Sequence, residues 1–169
     1  MTDIKHAIET IETFIPDPKR GLGELVFRMV SRLTPLVNVD LLVQNEKGEI
    51  LLTWRDDEFY GPGWHIPGGI LRFKETFDTR IQAVAHLELT ASVKHDDEPC
   101  LTKQCINKTR NTRGHFISHL FRCKLTSSLN DSQKFTPNLP QNGQWAWHSS
   151  MPESFLEVQK EIYGSIFSN

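Results

Sequence analysis

The stretch from Trp64 to Thr90 constrains the fold most. Trp64-His65-Ile66 reads as a short strand and Pro67-Gly68-Gly69 as a glycine turn. Phe77, Ile81, Val84 and Ala85 then mark the buried side of a helix over residues 76–89. A strand that turns through two glycines into a helix frees backbone carbonyls at the helix mouth. Carboxylates gather there: Glu75 and Asp78 at the start, where the helix dipole favours them, and Glu88 near the end. Such an all-oxygen setting suits a hard cation like Mg²⁺, which keeps waters and substrate phosphates as its other ligands. Thirteen residues separate Glu75 from Glu88, about 220° around a helix. The two share a face only if Glu75 belongs to the loop.

Around this stretch the period of the pattern changes. Ile4, Ala7, Ile8, Ile11 and Phe14 repeat at helical spacing over 4–14, and Pro16 and Pro18 end that segment. Residues 22–33 repeat the pattern up to Pro35. From Leu36 the chain reads as a hairpin: strands at 36–43 and 50–55 around an Asn-Glu-Lys-Gly turn. In the first strand Asp40 alternates with Val39 and Leu41, which puts it on the opposite face. Two longer strands are expected over 91–125 around a polar loop at 107–114, then a loop at 127–143 and a short strand at 144–148. Trp145 and Trp147 alternate there, so both face one side, toward the core or a flat base. A last helix opens at Pro152 and runs to the C-terminus with Phe155, Val158, Ile162 and Ile166 on its stripe. Hairpin, helix, sheet, helix is the order of a mixed α/β sandwich. The division expected is an N-terminal helical extension, 1–33, and one domain, 34–169.

Composition removes several classes. The chain has 169 residues, long enough to bury one full core. A net charge of −2 disfavours nucleic acid as a partner. No apolar run approaches the ~18–20 residues of a membrane span, and the N-terminal residues lack the basic-then-apolar layout of a secretory signal. Cys100, Cys105 and Cys123 match no zinc pattern and fit reduced thiols. The expectation is a cytoplasmic protein without membrane or nucleic-acid partners. From Leu101 to Asn130 there is no Asp or Glu, while Lys103, Lys108, Arg110, Arg113, Arg122 and Lys124 fall there. That local positive field suits a diphosphate ligand.

The stretch resembles the signature of the Nudix hydrolases, Gly-x5-Glu-x7-Arg-Glu-U-x-Glu-Glu-x-Gly-U, with U a bulky aliphatic residue. Gly69, Glu75 and Glu88 keep its frame. Ala83-Val84 replace the Arg-Glu pair, Leu87 replaces one glutamate and Thr90 the closing glycine. Within the family the chain is most similar to the GDP-mannose mannosyl hydrolase branch. That branch has a similarly thinned box, Thr-Pro-Leu-Val before the first strand (here residues 34–37), an Asp in it (Asp40) and an Arg ending the next (Arg55).

The resemblance implies a Nudix-type α/β/α sandwich with a mixed sheet and a homodimer. It implies a Mg²⁺ ion, or Mn²⁺, held by Glu88, the carbonyl of Gly68 or Gly69, Gln141, and Glu75 where that residue is not structural. Arg55 and Asp40 would carry catalysis. Arg55, Arg72, Arg110 and Arg113 would bind a nucleotide-sugar substrate, which is released as nucleoside diphosphate and sugar. Two other readings stand beside this one: a pyrophosphatase of another nucleoside diphosphate derivative, and a catalytically weak nucleotide-binding module. The branch's general-base His falls on Asn142, and an amide takes no proton from water near neutral pH. His115, His119 and His148 are the alternative bases.

Overall fold

Strand Leu36–Val43 (β1) sends alternate side chains to two faces, and a separate core forms on each. The computed structural model describes residues 3–137 and 139–167. After β1 come β2 (Ile50–Arg55), β3 (Gly63–His65), β4 (Gly68–Ile70), β5 (Val93–His95), β6 (Leu101–Ile106), β7 (His115–Leu125) and β8 (Trp145–His148). The helices are α1 (Ile4–Glu12), α2 (Glu24–Val30), α3 (Phe77–Leu89) and α4 (Glu157–Tyr163). One sheet runs β4-β1-β7-β5, with β6 beside β5 on the same edge of β7; the other runs β3-β2-β8. β1 and β7 are parallel and the remaining pairs antiparallel, so the first sheet is mixed.

Val39, Leu41 and Val43 of β1, Leu51 of β2 and Trp145 of β8 pack with Ile81, Val84, Ala85 and Leu89 of α3. On the other side Leu42, Ile50, Leu52, Trp64 and Leu120 pack with Ile162 and Tyr163 of α4. The result is an α/β/α sandwich. Trp147 packs against the same cluster as Trp145, so both serve the core. Asp40 does lie opposite Val39 and Leu41, on the α4 side, where Tyr163 meets it.

Helix α3 begins where Thr76 caps it: its side-chain oxygen accepts from the Thr79 N–H at 3.2 Å. It ends at Thr90 in the left-handed conformation, φ 51°. Glycine takes that conformation freely; a β-branched residue pays about 1 kcal/mol or more. Among the described residues no helix is long and apolar enough to cross a membrane, and all three cysteines are free.

Several expected elements differ. Gly68 and Gly69 lie in strand β4 rather than in a turn. A Cβ on Gly68 would stand 1.9 Å from Asp40 Oδ1, and one on Gly69 would stand 2.9 Å from Val84 Cγ2. The two glycines therefore let β4 lie close against β1 and α3. Residues 91–125 hold three strands: Asp96 and Cys100 still donate to the Arg122 and Leu120 carbonyls of β7, but the chain leaves the ladder between them, over residues 97–99, where Pro99 has no N–H to give. The last helix starts at Glu157, not Pro152. Residues 154–156 instead close the edge of β3: Trp64 N–H donates to Ser154 O and Leu156 N–H to Trp64 O, each at 2.9 Å. It also ends early: α4 stops at Tyr163 and a 3-10 turn over Gly164–Phe167 follows, while the expected run beyond residue 167 lies outside the described residues. The second N-terminal helix is shorter than 22–33: Gly23 caps its start, and Ser31 ends it.

Candidate functional site

A cavity of about 760 Å³ takes in one side of β1 and β4, the ends of β2 and β3, and the last turns of α3. At its floor sits Asp40, 1% exposed. The Tyr163 hydroxyl donates to Asp40 Oδ2 and the Asn38 amide to Oδ1 at 2.7 Å. Burial drives its carboxyl up to about 7, and the hydrogen bonds from Tyr163, Asn38 and Ser118 offset only part of that.

Glu88 projects from α3 toward the same floor, with 28% of its side chain accessible. Loss of hydration raises it too to about 7, against the Gly68 N–H at 3.4 Å and the Thr53 hydroxyl at 3.2 Å; the charge of Asp40 adds a little. The Thr53 oxygen also stands 3.0 Å from His65 Nε2. His65 Nδ1 lies 2.9 Å from the Ile66 carbonyl, which can only accept, so Nδ1 carries the ring proton and Nε2 accepts from Thr53. Burial lowers His65 to about 4, so the ring is neutral. One hydroxyl proton cannot serve both Glu88 and His65. The chain of contacts closes when Glu88 is protonated, in keeping with its raised pKa.

The ladder assigns the two glycine carbonyls different roles. Leu41 N–H bonds Pro67 O and Leu71 N–H bonds Val37 O. Alternate antiparallel pairs exchange bonds, so the Val39–Gly69 pair between them is also a bonded one. Gly68 turns its N–H and C=O to the opposite edge, the side on which its N–H meets Glu88.

Basic groups rim the cavity. Arg55, Arg72, Arg80 and Arg113 line it. Arg55 Nε holds Asp57 at 2.5 Å. The Tyr60 ring has Arg110 at 4.5 Å, Arg55 at 5.1 Å and Arg113 at 5.9 Å from its centroid. Among the described residues no group of three or more His, Cys, Asp or Glu is placed to hold a metal ion together.

No protein-family model matches the chain. It aligns with the low-salt glycan biosynthesis protein Agl8 of Haloferax volcanii at 31% identity over 93 residues, 55% of this chain and 54% of that protein. The match thus spans about half the length of that curated relative. Among solved structures, a MutT protein from Methanosarcina mazei superposes with a TM-score of 0.59 at 17% identity, covering 80% of this chain and 92% of that one. A MutT NUDIX hydrolase from Burkholderia pseudomallei gives 0.58 at 15% identity, over 76% and 95% of the two chains. The chain has the Nudix fold. An ADP-ribose pyrophosphatase from Streptococcus suis shares it, with a TM-score of 0.52 at 17% identity over 80% and 88%.

On this Nudix fold the residues singled out by sequence separate into two groups. Asp40, Glu88, Gly69, Arg55, Arg72 and Arg113 come together around one cavity. Glu75 does not join them: it stands just ahead of the Thr76 cap, and both its oxygens are taken by Arg80, at 2.8 Å from Nη2. Gln141 is exposed and does not line the cavity, whereas its neighbour Asn142 does. The Asn142 side chain accepts from the Asp56 N–H at 3.2 Å, a loop-holding role. Arg110 does not line the cavity but meets the Tyr60 ring, which does.

Of the basic segment, Lys103, Arg122 and Lys124 are exposed on strands away from the cavity. His115 and His119 contact Gln104 and Thr102, and neither they nor His148 line the cavity. The histidine that does is His65, and sequence reading passed over it together with Thr53. The signal available was the period of two in β2 and β3, which sets Thr53 opposite His65.

Asp40 carries a testable consequence. A carboxyl whose pKa rises on folding keeps its proton in the folded state where the unfolded chain has already lost it. The stability tied to Asp40 is therefore complete below about pH 4 and is lost as the pH rises through about 7. Melting of the metal-free protein from pH 4 to 8 should show this fall. Asp40→Asn should remove roughly 2–4 kcal/mol of it. Identical pH profiles for the two proteins would refute the assignment.

Proposed function

We propose that the chain is a Mg²⁺-dependent hydrolase of a nucleoside diphosphate-sugar, GDP-mannose-like, releasing nucleoside diphosphate and sugar. The observation that carries this reading is the pairing, in one cavity, of a cation-seeking floor with an anion-seeking rim. Glu88 is a dehydrated carboxyl whose one basic neighbour within ion-pair distance, among the described residues, is the neutral His65 at 3.6 Å. Such a group fits a cation. Glu88 and the Gly68 carbonyl would hold Mg²⁺, with waters and phosphate oxygens completing its shell, as a small hard ion prefers. When bound, the metal screens the charge on the diphosphate.

The chain's own residues supply the rest. Arg55 and Arg113, with Arg72, neutralise phosphate oxygens by charge-assisted hydrogen bonds. Asp40, anchored by Tyr163 and Asn38, presents a carboxyl poised near neutrality at the cavity floor. Such a group can accept a proton from water or hold a sugar hydroxyl. The similarity to a relative named for glycan biosynthesis supports a sugar-linked substrate. Ile4, Ile8 and Phe14 of the N-terminal segment lie exposed, which supports the homodimer that the same reading implies.

The test is a panel of nucleotide sugars offered with Mg²⁺ in ¹⁸O water. The reading expects nucleoside diphosphate without label and labelled sugar. Label in a phosphate product would mean attack at phosphorus and make the chain a pyrophosphatase. A second reading, a nucleotide-binding module without catalysis, draws on the structural use of Asn142. Tight binding without turnover of any member of the panel would favour it.

A further inference from the structure

Helix α2 and the segment before it contribute Pro18, Gly21, Leu22, Phe27 and Val30 to the cavity lining. This part of the N-terminal extension touches the site through one side chain above all. The Arg113 guanidinium lies over the Phe59 ring at 4.3 Å and the Phe27 ring at 5.4 Å. Its backbone N–H donates to Ser31 Oγ at 3.1 Å, and its carbonyl accepts from the Tyr60 hydroxyl at 3.0 Å. Arg28 of α2 reaches Glu58 at 3.1 Å, which ties the helix to the loop that carries Phe59 and Tyr60. Arg113 itself has no carboxylate within ion-pair distance among the described residues, and its buried Nε has no hydrogen-bond partner.

A guanidinium whose faces are covered by aromatic rings keeps its edge donors free. Here the buried Nε lacks an acceptor among the described residues, and the like charge of Arg55 on the same cavity opposes Arg113. An anion with several oxygens would satisfy both arginines. We propose that helix α2 is a wall of the ligand cleft, and that Phe27 and Ser31 are positioning residues that hold Arg113 ready for the phosphates of a nucleoside diphosphate. The inference rests on the reading of this cavity as a nucleoside diphosphate site. It adds that the N-terminal extension takes part in binding.

Titration calorimetry of the full chain with Mg²⁺, using GDP and inorganic pyrophosphate as probes, tests it. Arg113→Lys keeps the charge and loses the planar fork; it should weaken both probes by about tenfold. Phe27→Ala should weaken both by roughly as much, with Phe27→Tyr restoring wild-type affinity. Ser31→Ala, which leaves the rings in place, should weaken both severalfold. Phe27→Ala combined with Arg113→Lys should bind no worse than Arg113→Lys alone, because both act through one guanidinium. Leu25→Ser, on the same helix at 83% exposure, should bind as wild type.

Wild-type affinity in both Phe27→Ala and Ser31→Ala would overturn the inference. So would losses that add to that of Arg113→Lys. Either result leaves the proposed function standing if wild type binds GDP. Failure of wild type to bind both GDP and pyrophosphate would overturn the two together.

Discussion

Glu88→Gln should raise the melting temperature of the metal-free protein at pH 8 and abolish the stabilisation by Mg²⁺ that the proposed function expects of the wild type. The two effects have one cause. In wild type the carboxyl, raised to about 7, is ionised at pH 8 in a dehydrated setting without a cationic side chain within ion-pair distance among the described residues. An amide of the same shape removes that charge. The gain is roughly 1–2 kcal/mol, or about 3–6 °C for a chain of this size. On the proposed function magnesium would offer wild type the missing counter-charge. At a hundredfold excess over its dissociation constant a ligand stabilises by about 2.7 kcal/mol, and the variant should show almost none of this. Turnover should fall by more than about a hundredfold, since even the supporting partners of metal ligands are worth about 10–100-fold. Scanning calorimetry with and without Mg²⁺ reads the stability effects. Equal magnesium shifts in wild type and variant would remove Glu88 from the metal site.

The parts of this molecule that sequence revealed are those in which one periodicity fixes one face. Val39, Asp40 and Leu41 alternate in the sequence, and the strand they form sends Asp40 to the side opposite its neighbours. The helical spacing of Ile81, Val84 and Ala85 likewise matches the buried face of α3. Contacts between distant segments were not legible in the same way. Thr53, His65 and Glu88 come from β2, β3 and α3. Their meeting depends on the register of two strands and the rotation of a helix, and no local pattern encodes either. The apolar stripe of α2 announced that a face would be covered without naming its cover, and part of that face is the cavity itself. Gln141 depended on an alignment across a loop, where chain length and direction are free to vary; the adjacent side chain is the one that reaches the site.

Glu75 pairs with Arg80, and its substitution should give the largest loss of stability. Its spacing from Gly69 fits a metal-binding signature, yet its carboxylate accepts from Arg80 Nε at 2.9 Å and from Nη2 at 2.8 Å. The Arg72 N–H adds a further bond at 2.9 Å. The side chains of Arg80 and Glu75 are 5% and 11% accessible. Removing one partner of a buried pair leaves an uncompensated charge, at a cost of about 3–5 kcal/mol. Glu75→Ala should therefore lower the melting temperature by roughly 10 °C. The double variant Glu75→Gln, Arg80→Met should recover most of the loss, because it removes both charges and fills the same volume. Magnesium should stabilise the Glu75→Gln, Arg80→Met protein as much as the proposed function expects it to stabilise wild type. If Glu75→Ala instead melts like wild type and no longer responds to magnesium, the carboxylate belongs to the metal and not to Arg80.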